Sequence, residues 1–216
     1  MSKLFIFGDS FSDTFHNTKN VPWIKQYISW KGYVPESFGD IISKTLKLEL
    51  INKSVSGSDN YSIFENICKC ATIIQPDDVL IIGWTGRHRF RIADDRDLTW
   101  KNVSSVHINN IDTISHIMSK DTLLSIFANR DSILYLNEVN NWIHLLNTIL
   151  KNNKIIHWTW MKNQTELHAL TISDLPTILD ETNGELNDMH YNEHSQTILA
   201  EMFLSELKKD KPNKLI

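Results

Sequence analysis

The chain has 216 residues, 41% of them hydrophobic and 22% charged, with a formal net charge of −4. A chain of this length buries roughly 70% of its extended surface on folding, so a core forms without disulfides or a structural metal. The charge balance gives no electrostatic reason to expect a nucleic-acid partner, although Arg87, Arg89 and Arg91 form a local basic cluster. Cys68 and Cys70, the only cysteines, cannot complete a thiolate metal site and read as reduced thiols. The apolar run Leu4 to Phe7 is shorter than the ~7–15 apolar residues of a secretory signal. No segment approaches the ~18–20 apolar residues of a membrane span, and a cytoplasmic location is expected.

Leu4–Phe7 ends at Gly8 and suits a buried parallel strand. In PESFGDIISKTLKL (35–48), Phe38, Ile41, Ile42 and Leu46 share one helical face, with Pro35 near the start. LELIN (48–52) reads as a second strand, and YSIFENICKCATII (61–74) as a helix with Ile63, Ile67 and Ala71 four apart. VLIIGW (79–84) is the clearest buried strand. A polar stretch of weak periodicity follows, from Thr85 to about Arg130, and is expected to elaborate the active-site face. SILYLNEVNNWIHLLNTIL (132–150) carries an apolar helical stripe. KIIHWTW (154–160) reads as a fourth strand, LHALTI (167–172) as a fifth, and EHSQTILAEMFLSELKK (193–209) as a closing helix with a basic end.

Strands alternating with helices argue for a parallel sheet covered on both faces. Such sheets bind ligands beyond the carboxyl ends of their strands. The first of those ends reads FGDSFSD, where a serine on a strand-to-helix turn can expose its hydroxyl near backbone amides that suit an oxyanion. The plainer reading is that Ser10 or Ser12 caps a helix. LNDMHYNEHSQ (186–196) places His190 in a polar loop with Asp188 two residues earlier. A carboxylate beside a histidine holds the tautomer that can take a serine's proton, whereas a lone loop histidine is usually only solvated. His190 and His194 could also be read as a spaced metal pair, but no HExxH is present.

FGDS at the first strand end, a glycine after the second strand, a glycine ending the third, and D-x-H before the last helix form an ordered set along nearly the whole chain. That set resembles the SGNH/GDSL hydrolase family. The resemblance implies Ser10 as nucleophile, with its own amide in the oxyanion hole. It puts Asn52 and Gly57 of NKSVSGSDN in the family's second block, Gly57 supplying another oxyanion amide. It makes His190 the base, and the run to Ala200-Glu201 follows the family's loop-to-helix pattern. The G-x-S-x-G elbow of the α/β-hydrolases is absent. The implied fold is α/β: a flavodoxin-like three-layer α/β/α sandwich with a mostly parallel sheet of about five strands, forming one domain over residues 1–216. The implied reaction is hydrolysis of a carboxylic ester through an acyl-enzyme, on a small-molecule or glycan ester such as an O-acetyl sugar, with no cofactor and no metal.

Two positions depart from the family pattern. The third block is usually G-x-N-D, but here it reads GWTG, with Thr85 in the place of the oxyanion asparagine. A missing oxyanion donor costs about 10²–10³ in rate, and Asn60, Arg87 and Arg89 are candidate substitutes. The Gly-Trp-Thr block followed by arginine resembles a divergent subgroup. The family's carboxylate usually stands three residues before the histidine, a place held here by Asn187, so Asp188 takes the role at closer spacing, or Ser10 and His190 act as a dyad. Asn60, Trp84, Arg89 and Trp158 are the expected substrate contacts; Trp84, Trp100, Trp158 and Trp160 read either as core packing or as a flat apolar wall beside the serine. Two further readings stay open: an acyltransferase using the same serine, and a catalytically quiet binding or structural module.

Overall fold

The computed structural model describes residues 2–94, 96–97, 99–104, 110–129, 132–162 and 166–209. Five strands, β1 (Lys3–Phe7), β2 (Glu49–Asn52), β3 (Val79–Trp84), β6 (Lys154–Thr159) and β7 (Leu170–Thr171), form one sheet in the order β2-β1-β3-β6-β7. Every pairing in it is parallel. The order reverses between β1 and β3, so a crevice opens at their carboxyl ends.

Period-2 alternation sends neighbouring side chains of each strand to opposite faces. Phe5, Phe7, Leu80, Ile82 and Trp84 pack on α4 (Asn60–Cys70) and α6 (Ser132–Ile149). Leu4, Ile6, Val79, Ile81, Ile156 and Trp158 pack on α3 (Phe38–Leu46) and α8 (Glu193–Lys208). The chain is therefore a three-layer α/β/α sandwich, as expected. A capping box starts α3, in which Ser37 and Asp40 satisfy each other's backbone N–H groups. Among the described residues, no helix is long and apolar enough to cross a membrane.

Several elements differ from their expected form. The strand expected over 167–172 shortens to Leu170–Thr171, paired with Trp158 and Thr159. Two short helices, α1 (Phe15–Thr18) and α2 (Pro22–Lys31), fill the segment after β1, and Phe15, Ile24 and Tyr27 form a small core there with Ile178. The stretch 85–130 carries an antiparallel hairpin, β4 (Phe90–Asp94) with β5 (Thr99–Val103), and helix α5 (Lys120–Asn129). Phe90, Val103, Ile114 and Leu123 give it a core of its own. Residues 95, 98, 105–109 and 130 of that stretch lie outside the described residues. A last short helix, α7 (Ile178–Glu181), precedes the His190 loop.

Candidate active site

Ser10 stands at the tip of a tight turn after β1. Ser12 N–H donates to the Asp9 carbonyl at 3.0 Å, and Phe11 N–H donates to Asp9 Oδ1 at 3.0 Å. Asp9 thus closes the turn with both backbone and side chain, in the way Asx residues do. Gly8 and Gly83 permit this packing, because a Cβ on either would run into Ser12 Oγ.

The loop after β2 is stitched to the same turn. Val55 N–H donates to the Gly8 carbonyl at 3.0 Å, while Asn52 Nδ2 and Ser54 Oγ donate to the Ser12 carbonyl at 2.9 and 3.2 Å. Ser58 N–H closes onto the Val55 carbonyl at 3.1 Å, with Gly57 at φ 80° in the third position. That position of a type II turn requires positive φ, which explains the glycine. Among the described residues, neither the Ser10 N–H nor the Gly57 N–H meets a protein acceptor.

His190 is held from the other side. The carbonyls of Asp188 and His190 accept the N–H groups of Leu179 and Ile178, both at 2.8 Å, satisfying orphan donors at the start of α7. Asn192 caps α8 two residues later. Asp188 Oδ1 lies 2.9 Å from the His190 backbone N–H and 2.6 Å from its Nδ1. Burial pushes the Asp188 carboxyl up, but the hydrogen bond, charge and backbone N–H of His190 outweigh it and leave the group below its ordinary value. An ionised carboxylate only accepts, so Nδ1 carries the proton and Nε2 keeps its lone pair. Asn187 is exposed.

Ser10 and His190 line one small cavity of about 20 Å³, together with Phe11, Asp13, Ser56 and Tyr191. The Phe11 ring sits 4.9 Å from the imidazole and stacks on Trp160 at 4.3 Å. Asp9 is 1% exposed; its Oδ2 accepts the Trp160 Nε1–H at 2.9 Å and forms an ion pair with the Arg89 guanidinium at 2.9 Å. Arg89 was expected as a substrate contact; its guanidinium is instead paired with the residue before Ser10.

The other expected contacts lie elsewhere. Asn60 is buried; its Oδ1 takes the Thr85 N–H at 2.7 Å, and its Nδ2 donates to the Thr85 carbonyl at 2.9 Å and to the Tyr135 hydroxyl at 2.7 Å. This amide clamp fixes the peptide after β3 and leaves Asn60 no donor for a substrate. Thr85 itself is buried, its hydroxyl has no hydrogen-bond partner among the described residues, and it is not among the residues lining the Ser10 cavity. Trp84 and Trp158 are 0% exposed. Trp84 alternates with Leu80 and Ile82 into one core, and Trp158 alternates with Ile156 into the other, so neither forms a substrate wall. The indole beside the site is Trp160, one residue past the end of β6, where the carboxyl-edge rule points. Trp160 was among the indoles expected near this face, whereas Asp9, Phe11 and Asp13 were not singled out by sequence, although all lie within three residues of Ser10.

Among the described residues there is no group of three or more His, Cys, Asp or Glu side chains that could hold a metal ion. No protein-family model matches the chain, and no curated protein matches it. Solved structures similar to it include the following two. One is a candidate GDSL-like lipase from Parabacteroides merdae, 12% identical over 95% of both chains with a TM-score of 0.45. The other is a candidate lipolytic protein of the G-D-S-L family from Desulfitobacterium hafniense, 12% identical over 95% of this chain and 99% of that one, with a TM-score of 0.43. Likeness at this level bears on neither family nor activity.

Proposed function

We propose that the chain is a serine hydrolase of SGNH/GDSL type that cleaves carboxylic esters through an acyl-enzyme on Ser10. The observation that carries this reading is the 2.6 Å contact of Asp188 Oδ1 with His190 Nδ1, on a histidine that lines the same cavity as Ser10. With its proton on Nδ1, His190 offers Nε2 as a base. Ser10 Oγ attacks the ester carbonyl carbon as Nε2 takes the hydroxyl proton, and Asp188 stabilises the imidazolium. The tetrahedral oxyanion is received by the N–H groups of Ser10 and Gly57. Thr85, buried and outside the lining of the Ser10 cavity, supplies no third donor in this proposal. Collapse breaks the C–O bond, and the imidazolium proton leaves with the alcohol. Water then attacks the acyl-enzyme with His190 again as base, releasing the carboxylic acid and restoring Ser10.

One observation favours a second reading, a catalytically quiet module: Thr85 is not among the residues lining the Ser10 cavity. Turnover of p-nitrophenyl acetate separates the two. Ser10→Ala and His190→Ala should each abolish Ser10-dependent turnover, and the double variant should be no worse than either single, since residues acting as a unit are not additive. Turnover that survives Ser10→Ala in a clean preparation refutes the hydrolase.

A further inference from the structure

Two spaces adjoin across Phe11 and Tyr191. The cavity at Ser10 holds about 20 Å³, room for roughly one water-sized group. Beside it a groove of about 480 Å³ is walled by Phe11, Trp160, Leu175, Pro176, Met189 and Tyr191, a volume that suits a small organic ligand. Phe11 and Tyr191 belong to both spaces. Met189 and Tyr191, which flank His190 in sequence, both face the groove, and Met189 is 61% exposed.

Resting on the ester-hydrolase reading, we infer that the substrate is a short-chain ester, acetyl-sized on its acyl side, of a bulky and predominantly apolar alcohol seated in this groove. The side of the groove decides which half of the ester it takes. The imidazolium must hand its proton to the departing oxygen, so the alcohol lies on the histidine side of the serine. The groove is walled by Met189 and Tyr191 of the histidine loop, which seats the alcohol there, and the narrow cavity is left for the acyl group.

The chemistry of the walls decides the class of alcohol. The polar groups of the groove largely satisfy one another. Asp180 Oδ2 takes the N–H and the hydroxyl of Thr177, both at 2.8 Å, and Asp174 is bound by Lys162 and, at 3.0 Å, by Ser173 Oγ. A sugar would bring several hydroxyls against the apolar walls, where each loses its water without a partner. An aryl or alicyclic ring meets the Phe11–Trp160 pair, Leu175, Pro176 and Met189 at no such cost.

The test uses the full chain and matched esters. 2-Naphthyl acetate is compared with 2-naphthyl octanoate for the acyl side, and cyclohexylmethyl acetate with 6-O-acetylglucose for the alcohol side. The latter two are acetates of primary alcohols on six-membered rings that differ chiefly in hydroxyls. The expected kcat/KM ratios are at least 10-fold in favour of the acetate and at least 10-fold in favour of the cyclohexyl ester. Leu175→Trp, which narrows the groove, should reduce the preference for 2-naphthyl acetate over phenyl acetate several-fold, and Met189→Ala should change the same ratio without filling space. Ser10-dependent turnover that favours octanoate or the sugar ester, or a ratio that neither variant moves, overturns this inference alone. Absence of Ser10-dependent turnover on every ester overturns the hydrolase reading and this inference with it.

Discussion

Asp188 Oδ1 accepts two hydrogen bonds from the same residue, His190, one from its backbone N–H at 2.9 Å and one from Nδ1 at 2.6 Å. The first is the i to i+2 contact of an Asx turn, and it bends the chain until the carboxylate faces the ring. A spacing of two residues is therefore sufficient for a carboxylate–imidazole pair, with no need of the longer spacing that would use Asn187. Asp188→Asn should cost about 10⁴ in kcat, because an amide neither stabilises the imidazolium nor enforces the tautomer. Asn187→Ala, at an exposed position, should change kcat by less than about threefold, within the small range of surface substitutions. Steady-state kinetics on p-nitrophenyl acetate check both, and a larger loss in Asn187→Ala than in Asp188→Asn reverses the assignment.

The pair formed by Asp9 and Arg89 joins the Ser10 turn to the loop that opens the β4–β5 hairpin. Asp9 is 1% exposed and the Arg89 side chain 18%, so removing the guanidinium leaves a buried carboxylate without its opposite charge. Arg89→Met should lower unfolding stability by about 3 kcal/mol, the scale for breaking a buried ion pair. Asp9→Asn with Arg89→Met should lose less than the sum of the two single variants, with a coupling of at least ~1 kcal/mol. Urea denaturation of the four proteins measures this; additive losses mean that the two residues do not act together.

The layers and the central strands were legible because β1, β3 and β6 are apolar runs with both faces buried, a pattern that belongs to central parallel strands. The β4–β5 hairpin was not legible. Thr99, Trp100, Lys101 and Asn102 are exposed or half-buried, so no strong alternation marks the strand, and only Phe90 and Val103 signal its core. In the site, Ser10, Asp188 and His190 could be found because each lies in a short local pattern. The convergence of Phe11, Trp160 and Arg89 on Asp9 could not, since Arg89 and Trp160 come from other strand ends far along the chain. Trp84 and Trp158 were misassigned to a substrate wall although their period-2 spacing from Ile82 and Ile156 already pointed inward.

His157 provides a test of the buried sheet that is independent of catalysis. Its Nδ1 accepts the Trp84 Nε1–H at 3.2 Å, and Nε2 lies 3.3 Å from Asn147 Oδ1, a pattern that fits the neutral ring. Burial lowers its pKa from 6.5 to about 3. The folded state resists a proton that the unfolded chain accepts below pH 6.5, so the stability is fully present above that pH and is lost as pH falls towards 3. This group alone should contribute a slope of up to about 1.4 kcal/mol per pH unit in that window. Chemical denaturation at pH 7, 6, 5 and 4 should show a shallower decline in His157→Gln than in the parent chain. Equal slopes would mean that the ring does not stay neutral in the fold.

Reaction with a fluorophosphonate probe, followed by mapping of the modified peptide, tests Ser10 activation without knowledge of the substrate. An activated serine attacks phosphorus and becomes covalently labelled, whereas an ordinary hydroxyl does not. The expected result is a single adduct on Ser10, absent in Ser10→Ala and formed at least 100-fold more slowly in His190→Ala, in keeping with the 10²–10⁴ supplied by a positioned base. No adduct, an adduct on another serine, or undiminished labelling in His190→Ala would contradict a Ser10–His190 nucleophile.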